Sequence, residues 1–376
     1  MAIFDGIYLD HNATTPVKPA AREAMMAALD LPGNASAIHK AGRTARRMLE
    51  DARASVMRAL NLGARDIVVF TSGATEANNL VLRGSGLERL IVSASEHPSV
   101  LETARVCGLA LDVLPVLSSG VIDLAALEKL LQGNTQQTLI SIMLVNNETG
   151  VIQPLDQVVA LARKHGALVH TDAVQAVGRM AVDVQKLGVD FVSLSGHKIG
   201  APQGAGALII ANCAVIHPQI TGGNQEKNLR AGTENLPAIM GLAAALDALD
   251  IESASTLAAW RDRIESELSA AAPSLQVFGQ SAPRVANTTM FALPGVSSET
   301  QLIALDLAGI CVSNGSACSS GTVKASHVLR AMGADDAAAG SSLRVSLGWN
   351  TTQDDVARFI AAWLKMYERV KDKCQK

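Results

Sequence analysis

The sequence has few aromatic residues, few cysteines and no long apolar run. Aromatic residues make up 3% of the chain, and the five cysteines form neither a CxxC pair nor a zinc-like spacing. The most apolar helical stretch, residues 238–246, is stopped by Asp247 and is far shorter than the ~20 residues that span a bilayer. No charged segment precedes an apolar run at the N-terminus, so we expect no signal peptide. These absences argue against a disulfide scaffold, a zinc site and a membrane protein.

The charge composition narrows the class further. The formal net charge is −3 and there is no basic block, so we expect neither nucleic acid nor a membrane surface as a partner. The hydrophobic fraction of 48% and the charged fraction of 18% are typical of a globular protein. Free thiols in odd number suit a reducing, cytoplasmic compartment, where one cysteine in a special setting is a candidate nucleophile.

Seven short apolar segments, separated by helical patterns, predict the core of the fold. They are residues 67–70, 90–94, 110–115, 139–145, 167–170, 191–194 and 207–210. Apolar strands that alternate with helices indicate a mostly parallel sheet covered on both faces, whose ligands lie beyond the carboxyl ends of the strands. Four polar residues follow such ends and are expected to converge on one crevice: Thr71, Asn147, Asp172 and Lys198.

The chain length favours a large domain with a smaller one. We expect an N-terminal arm (1–16) that packs against the small domain, a large domain (17–255) and a small α/β domain (256–376). The small domain would contain strands at 287–293, 310–313 and 343–347 and helices at 299–307, 326–332 and 352–371. A Gly/Ser-rich loop at 314–324 and an exposed Ala-rich loop at 333–340 complete this prediction.

One lysine follows a predicted strand directly. Lys198 ends the turn Ser195-Gly-His-Lys, where partial desolvation would allow its amine to lose a proton and attack a carbonyl. An ordinary surface lysine is the alternative. Upstream, Asp172 follows another predicted strand. A lysine that forms a Schiff base, with an aspartate for a pyridinium nitrogen, is typical of pyridoxal phosphate (PLP) enzymes.

The motifs HTDAVQ (170–175) and SLSGHKIGAPQG (193–204) together resemble the PLP-dependent cysteine desulfurases of the NifS/IscS type, in the class V aminotransferase family. The resemblance runs from YLDHNATTP (8–16) to the strand around Arg344 and so covers nearly the whole chain. It implies a fold type I PLP enzyme with a mostly parallel seven-stranded sheet in its large domain. It also implies a Schiff base between PLP and Lys198.

The segment TSGATEAN (71–78) lies between a predicted strand and a helix. Gly73 allows a tight turn, and the amides and hydroxyls at a helix N-terminus form an anion site. A plain Ser/Thr helix cap is the alternative. The resemblance assigns the PLP phosphate to Ala74, Thr75, Ser195 and His197. It also implies a homodimer in which Thr233 reaches the phosphate of the neighbouring subunit, although Thr233 equally fits a capped helix start.

The resemblance assigns the ring of the cofactor to four further residues. His97 would stack on the ring and shuttle protons, Asp172 would keep the ring nitrogen protonated, and Gln175 would bond the ring hydroxyl oxygen. Asn147 would help to hold that oxygen and the substrate. A structural histidine and a turn asparagine are the alternatives for His97 and Asn147.

Two residues of the predicted small domain complete the set. Arg344 alternates with apolar neighbours in a strand, and its planar guanidinium suits an α-carboxylate, although an edge-strand arginine has the same pattern. Cys318 is surrounded by small residues that permit a mobile loop, whereas a buried hydrophobic cysteine is the usual alternative. The resemblance makes Arg344 the carboxylate clamp and Cys318 the sulfur acceptor.

The activity that the resemblance implies is the conversion of L-cysteine to L-alanine. Lys198 would remove the α-proton, and Cys318 would take the sulfur as a persulfide and pass it to an acceptor or iron-sulfur scaffold protein. The alternatives are a selenocysteine lyase, a small-amino-acid aminotransferase and a non-catalytic sulfur-transfer scaffold. An aminotransferase needs no loop cysteine and a scaffold needs no Lys198, so the presence of both residues favours the desulfurase.

Overall fold

A computed structural model describes residues 5–314 and 325–374, with side chains up to residue 371. The strands in these ranges are β1 (Ile7–Tyr8), β2 (Ile67–Thr71), β3 (Arg89–Ser93), β4 (Ala110–Leu114), β5 (Thr138–Ser141), β6 (Leu168–Asp172), β7 (Phe191–Ser195), β8 (Gly206–Ile210), β9 (Gln276–Val277), β10 (Thr288–Ala292), β11 (Ile310–Cys311) and β12 (Ser342–Ser346). The helices are α1 (Pro19–Leu29), α2 (Lys40–Ala59), α3 (Ala74–Gly84), α4 (Pro98–Val106), α5 (Leu124–Leu131), α6 (Leu155–Lys164), α7 (Val184–Leu187), α8 (Leu236–Asp247), α9 (Ala254–Ala271), α10 (Ser298–Asp306), α11 (His327–Ala331), α12 (Asp336–Gly340) and α13 (Gln353–Cys374).

A seven-stranded sheet forms the larger unit, in the order β2-β8-β7-β6-β5-β3-β4. Strand β8 runs antiparallel to both of its neighbours, and the other pairs are parallel. The mostly parallel seven-stranded sheet predicted from the sequence is therefore confirmed. Because β2, β3, β5, β6 and β7 point the same way, the residues that follow them meet at one edge of the sheet.

Helices cover both faces of this sheet, and each face has its own apolar cluster. One cluster contains Phe70, Ile140 and Val192, and the other contains Val69, Leu139 and Phe191. These alternating residues of the same strands are all buried, which explains why the strands have continuous apolar sequences. Within residues 5–314 and 325–374, no helix has both the length and the apolar composition needed to cross a bilayer.

The smaller unit is an antiparallel sheet in the order β12-β10-β9, packed on α9, α10 and α13. Its core contains three aromatic side chains that contact one another, Phe291, Trp363 and Tyr367. The Trp363 ring lies edge-on to Phe291, with centroids 6.0 Å apart, and stacks on Tyr367 at 5.5 Å. Aromatic rings bury a large area each, so three of them stabilise a small core effectively.

The N-terminal arm connects the two units. Strand β1 pairs in parallel with β11, and Asp10 forms a bridge with Ser346, the last residue of β12. The arm then crosses to the large unit, where the Thr15 amide donates to the His197 carbonyl at 2.8 Å. Residues 10–15 therefore lie between the small sheet and the turn that contains Lys198.

Several element boundaries differ from the sequence prediction, and one predicted loop contains a helix. The strand expected at 139–145 ends at Ser141, and the one expected at 310–313 ends at Cys311. The exposed loop expected at 333–340 is wrong, because Asp336–Gly340 is a short helix with Ala338 and Ala339 buried. The Asp335 carboxylate caps this helix by accepting from the Ala338 amide at 2.7 Å. The predicted loop 314–324 lies, except for its first residue, outside the described residues.

Candidate active site

A cavity of about 1020 Å³ lies at the carboxyl edge of the large sheet. Ten of the twelve site residues predicted from the sequence line it: Ala74, Thr75, His97, Asn147, Asp172, Gln175, Ser195, His197, Lys198 and Arg344. Thr233 is exposed and does not line the cavity of its own chain. Cys318 lies outside the described residues, but Ser313 and Ala325, on either side of that segment, both line the cavity.

Lys198 is held in the tight turn Gly196–Lys198 that follows β7. Its Nζ donates to two carbonyl oxygens of the arm, those of Asn12 at 2.5 Å and Ala13 at 2.7 Å. Burial lowers the pKa of Lys198 from 10.5 to about 7, helped by the nearby cations Arg344 and Arg179 and opposed by Asp10 and Asp172. A large fraction of this lysine is therefore the neutral, nucleophilic amine near neutral pH.

Asp172 ends β6, the strand next to β7, and is 6% exposed. Its Oδ2 accepts from Asn78 Nδ2 at 2.9 Å and its Oδ1 accepts from the Val174 amide at 3.0 Å. Asn78 lies on α3 and also donates to the Ser99 hydroxyl at 2.9 Å. The carboxylate is thus fixed in place by two hydrogen bonds.

His97 caps α4, and its Nδ1 accepts from the Ser99 amide at 3.1 Å. An amide N–H can only donate, so the neutral ring has its proton on Nε2. Burial lowers the pKa of His97, whereas the Asp172 carboxylate raises it. Ser99 bonds both His97 and Asn78, so the histidine and the Asp172 carboxylate share one hydrogen-bonded chain.

The N-terminus of α3 lies beside Ser195. A Cβ on Gly206 would lie 2.6 Å from the Gly73 Cα, so only glycine allows β8 to approach the turn this closely. The first amides of a helix have no partner within the helix, and here they belong to the cavity-lining residues Ala74 and Thr75. These features make an anion site.

This N-terminal turn is also tied to the segment that contains Thr233. Glu76 accepts from the Ser72 amide at 2.9 Å and pairs with Arg230 at 2.8 Å. The Arg230 guanidinium and these hydrogen bonds lower the pKa of Glu76, against the effect of burial. The ion pair between Glu76 and Arg230 places the segment that contains Thr233 next to the anion site, and Thr233 itself is exposed.

Arg344 lines the same cavity and is 4% exposed. Its Nη2 lies 2.7 Å from Asp10 Oδ1, and its Nη1 donates to the Asn147 carbonyl at 3.0 Å. Its Nε is buried and has no hydrogen-bond partner in the described part of the chain. We call Asp10, Asn147 and Arg344 the arginine end of the cavity, and Ala74, His97, Asp172, Gln175 and Lys198 the lysine end.

Several residues that line the cavity were not predicted from the sequence, among them Asp10, Asn12, Glu148 and His327. The His327 Nε2 contacts the Glu96 carbonyl at 2.9 Å, so that nitrogen must have the hydrogen. Burial raises the pKa of Glu148, which accepts a hydrogen bond from Ser326. Asp10 and Asn12 belong to the recognised YLDHNATTP motif, which was the available signal; nothing local marked Glu148 or His327.

The lysine end fits pyridoxal phosphate. The site offers a lysine of lowered pKa, a buried carboxylate for the ring nitrogen and an anion site for the phosphate. The side-chain oxygens of Gln175 and Asn147 are buried without a hydrogen-bond partner among the described residues, as expected for groups that hold a bound polar molecule. This combination defines a PLP-type site.

Comparisons with known proteins agree with this conclusion. The family model for Aminotransferase class-V matches residues 7–359. A cysteine desulfurase of Nostoc sp. is 40% identical, over 97% of this chain and 94% of the relative. A NifS-like protein from Rickettsia africae has a solved structure with TM-score 0.89 and 35% identity, covering 97% of this chain and 100% of that one. A structure of SspA in complex with cysteine has TM-score 0.79 and 30% identity, covering 91% and 98%. The chain belongs to the class-V aminotransferase family, among the relatives of the NifS/IscS type.

Proposed function

We propose that this protein is a PLP-dependent cysteine desulfurase, which converts L-cysteine to L-alanine and takes the sulfur as a persulfide on Cys318. The observation that carries the proposal is the cavity itself. It is lined by an amine of lowered pKa, Lys198, and by a buried guanidinium, Arg344. An amino acid substrate would need the lysine for its reaction on the cofactor and the guanidinium for binding of its α-carboxylate. The similarity to enzymes named cysteine desulfurase, and to SspA with bound cysteine, favours cysteine as that amino acid.

The lysine end would hold the cofactor. Lys198 would bind it covalently through its amine, Asp172 would pair with the ring nitrogen, and the buried oxygens of Gln175 and, from the arginine end, Asn147 would hold a polar ring substituent. The phosphate contacts are assigned to Ala74, Thr75, Ser195 and His197. When bound, PLP supplies the electron sink that allows an amino acid to lose its α-proton.

Lys198 and His97 would move the protons. A lysine with a pKa of about 7 accepts a proton readily near neutral pH, which suits removal of the substrate α-proton. His97 has its proton on Nε2 and is linked to Asp172 through Ser99 and Asn78. It is therefore the second group of the lysine end that can donate a proton.

Arg344 would bind the α-carboxylate of the substrate, with Asn147 beside it. The Cys318 thiolate then attacks the substrate sulfur. An S–S bond forms and the Cβ–S bond breaks, with its electron pair remaining on carbon. Protonation of Cβ and return of a proton to Cα would then give alanine. Ser313 and Ala325, on either side of the segment that contains Cys318, both line the cavity, which supports this role.

We further propose a homodimer in which Thr233 contacts the phosphate in the partner's site, because Thr233 is exposed and Arg230 holds its segment beside the anion site. Sedimentation of the active enzyme should show a dimer, and an active monomer would contradict it. The persulfide sulfur would pass to an acceptor or iron-sulfur scaffold protein, the partner that this chemistry requires.

The function is tested by incubating the purified holoenzyme with L-cysteine, with and without dithiothreitol. With the reductant, alanine and sulfide should form in equal amounts. Without it, mass spectrometry of the digest should find one extra sulfur on the peptide with Cys318. Extra sulfur on Cys107, Cys213, Cys311 or Cys374 instead would contradict the assignment of the thiol. Conversion of the cofactor to its amine form with release of a keto acid would indicate an aminotransferase.

A further inference from the structure

Arg344 has a carboxylate partner within its own chain. Asp10 Oδ1 lies 2.7 Å from Arg344 Nη2, and the two side chains are 17% and 5% exposed. Both residues line the cavity. An ion pair this close and this buried fixes the position of the guanidinium, because separating it would leave an uncompensated charge out of water.

The pair leaves part of the guanidinium available. A guanidinium has five N–H groups, and hydrogen bonds to Asp10 and to the Asn147 carbonyl use two of them. Nε makes no contact with Asp10 and has no partner among the described residues. The described residues therefore leave three N–H groups of Arg344 without an acceptor, the buried Nε–H among them, so a second carboxylate would not have to replace Asp10.

The surrounding charges explain why a carboxylate is needed here. Arg344 lowers the pKa values of both Lys198 and Arg179, so the three cations repel one another. The contacts that Arg179 makes are to oxygens of His11, Asn12 and Val174, none of them ionised. Asp10 is the carboxylate in direct contact with Arg344, and it also raises the pKa of Lys198.

We propose that Asp10 is a positioning residue that fixes Arg344 so that its remaining N–H groups receive the substrate carboxylate. The inference rests on the proposed role of Arg344. The opposite role, in which Asp10 occupies the place of the substrate carboxylate and must be displaced, predicts effects of opposite sign. The free hydrogens of the guanidinium favour positioning over competition.

The test uses the holoenzyme and the variants Asp10→Ala and Asp10→Asn. Asp10→Ala should raise the KM for L-cysteine by about 10- to 100-fold, the range expected for one or two lost charge-assisted hydrogen bonds. Asp10→Asn keeps an oxygen acceptor and should give a smaller increase, with kcat changed less than KM in both variants. A decrease of KM in both variants would show that Asp10 competes with the substrate carboxylate for Arg344. An unchanged KM in Asp10→Ala would overturn the proposal.

A binding measurement separates this inference from the proposed function. The cofactor absorption of the holoenzyme is titrated with L-alanine and with ethylamine, which lacks the carboxylate. Asp10→Ala should weaken the binding of L-alanine by the factor by which it raises KM, and it should leave the binding of ethylamine unchanged. Equal weakening of the binding of both ligands would overturn the positioning role. This result does not depend on turnover, so a wild-type enzyme that fails to desulfurate cysteine would contradict the function alone.

Glu265→Ala is the matched control. Glu265 pairs with Arg284 at 2.7 Å, both side chains are 7% exposed, and neither residue lines the cavity. Its loss should lower stability without changing KM. Should Asp10→Ala not fold, Asp10→Glu applies the same test, because the extra methylene displaces the guanidinium while the charge stays. Asp10→Glu should then raise KM, and an unchanged KM would overturn the proposal.

Discussion

The two ends of the cavity are built in different ways. At the lysine end, Asp172 ends β6 and Lys198 follows β7, its neighbour in one sheet, and Ala74 follows β2 at the same edge. At the arginine end, Asp10 and Arg344 are 334 positions apart and Asn147 comes from a third segment. Sheet register therefore sets the geometry of the first end, whereas contacts between the arm and the small sheet set that of the second.

Because the two ends are built differently, damage to each end should change different properties of the enzyme. The lysine end contains the proton-transfer groups, so its damage should lower kcat or remove the cofactor. The arginine end contains the carboxylate-binding groups, so its damage should raise KM while the cofactor stays bound. Changes that affect neither end should leave the kinetic constants and cofactor binding intact.

Cys318→Ala should almost abolish sulfide and alanine formation while both ends of the cavity remain intact. The cofactor absorption and the binding of cysteine should persist, because Lys198 and Arg344 are unchanged. A neighbouring serine cannot replace the thiolate as sulfur acceptor at neutral pH. Product assays and visible absorption measure the effect. Cys311→Ala, on β11, is the control with normal activity, and full turnover in Cys318→Ala would show that the thiol is misplaced.

Lys198→Ala should lower kcat for alanine formation by roughly 10²- to 10⁴-fold, the usual contribution of a positioned acid–base group. The visible absorption of lysine-bound PLP should also be lost. Lys129→Ala, on the surface of α5, is the control. Retention of both the absorption and the rate would exclude Lys198 as the cofactor lysine.

Arg344→Lys should raise the KM for cysteine by roughly 10- to 100-fold, because lysine keeps the charge and loses the planar fork that matches a carboxylate. The PLP content should stay the same, since the lysine end is unaffected. Steady-state kinetics and cofactor absorption check both statements. Unchanged kinetics would make Arg344 a structural residue of β12.

The smallest effect concerns the stability of the cofactor-free protein. The pKa of Lys198 is about 7 in the fold and 10.5 when exposed, so its buried charge destabilises the fold fully below pH 7 and not at all above pH 10.5. Lys198→Met removes this penalty. The variant should melt above the wild type at pH 6.5, on the order of a few degrees, and the difference should shrink at pH 9.5.

Thermal unfolding at the two pH values measures this effect, with the exposed Lys129→Met as control. The control should show no such pH dependence. A difference between Lys198→Met and wild type that grows with pH would mean that the lysine is stabilised in its charged form, against the burial seen here.

Much of the lysine end was predictable because its signals are local. The strands before Asp172 and Lys198 are continuous apolar runs, and the turn Ser195-Gly-His-Lys198 follows one of them directly. The helix Asp336–Gly340 was missed because an alanine-rich segment has no apolar periodicity of its own, and only packing shows that Ala338 and Ala339 are buried. Glu148 and His327 were missed because their spacing along the chain does not indicate that they share a cavity.

The sequence by itself determined the sheet, the lysine turn and the motifs that indicate the family, because apolar patterning and turn residues act over a few positions. Only the tertiary structure decided that Asp10 pairs with Arg344, that arm carbonyls hold the Lys198 amine, and that burial lowers its pKa to about 7. These contacts depend on how the arm crosses from β11 and β12 to the large sheet. Desolvation and charge pairing arise from neighbours in space, which a linear pattern does not specify.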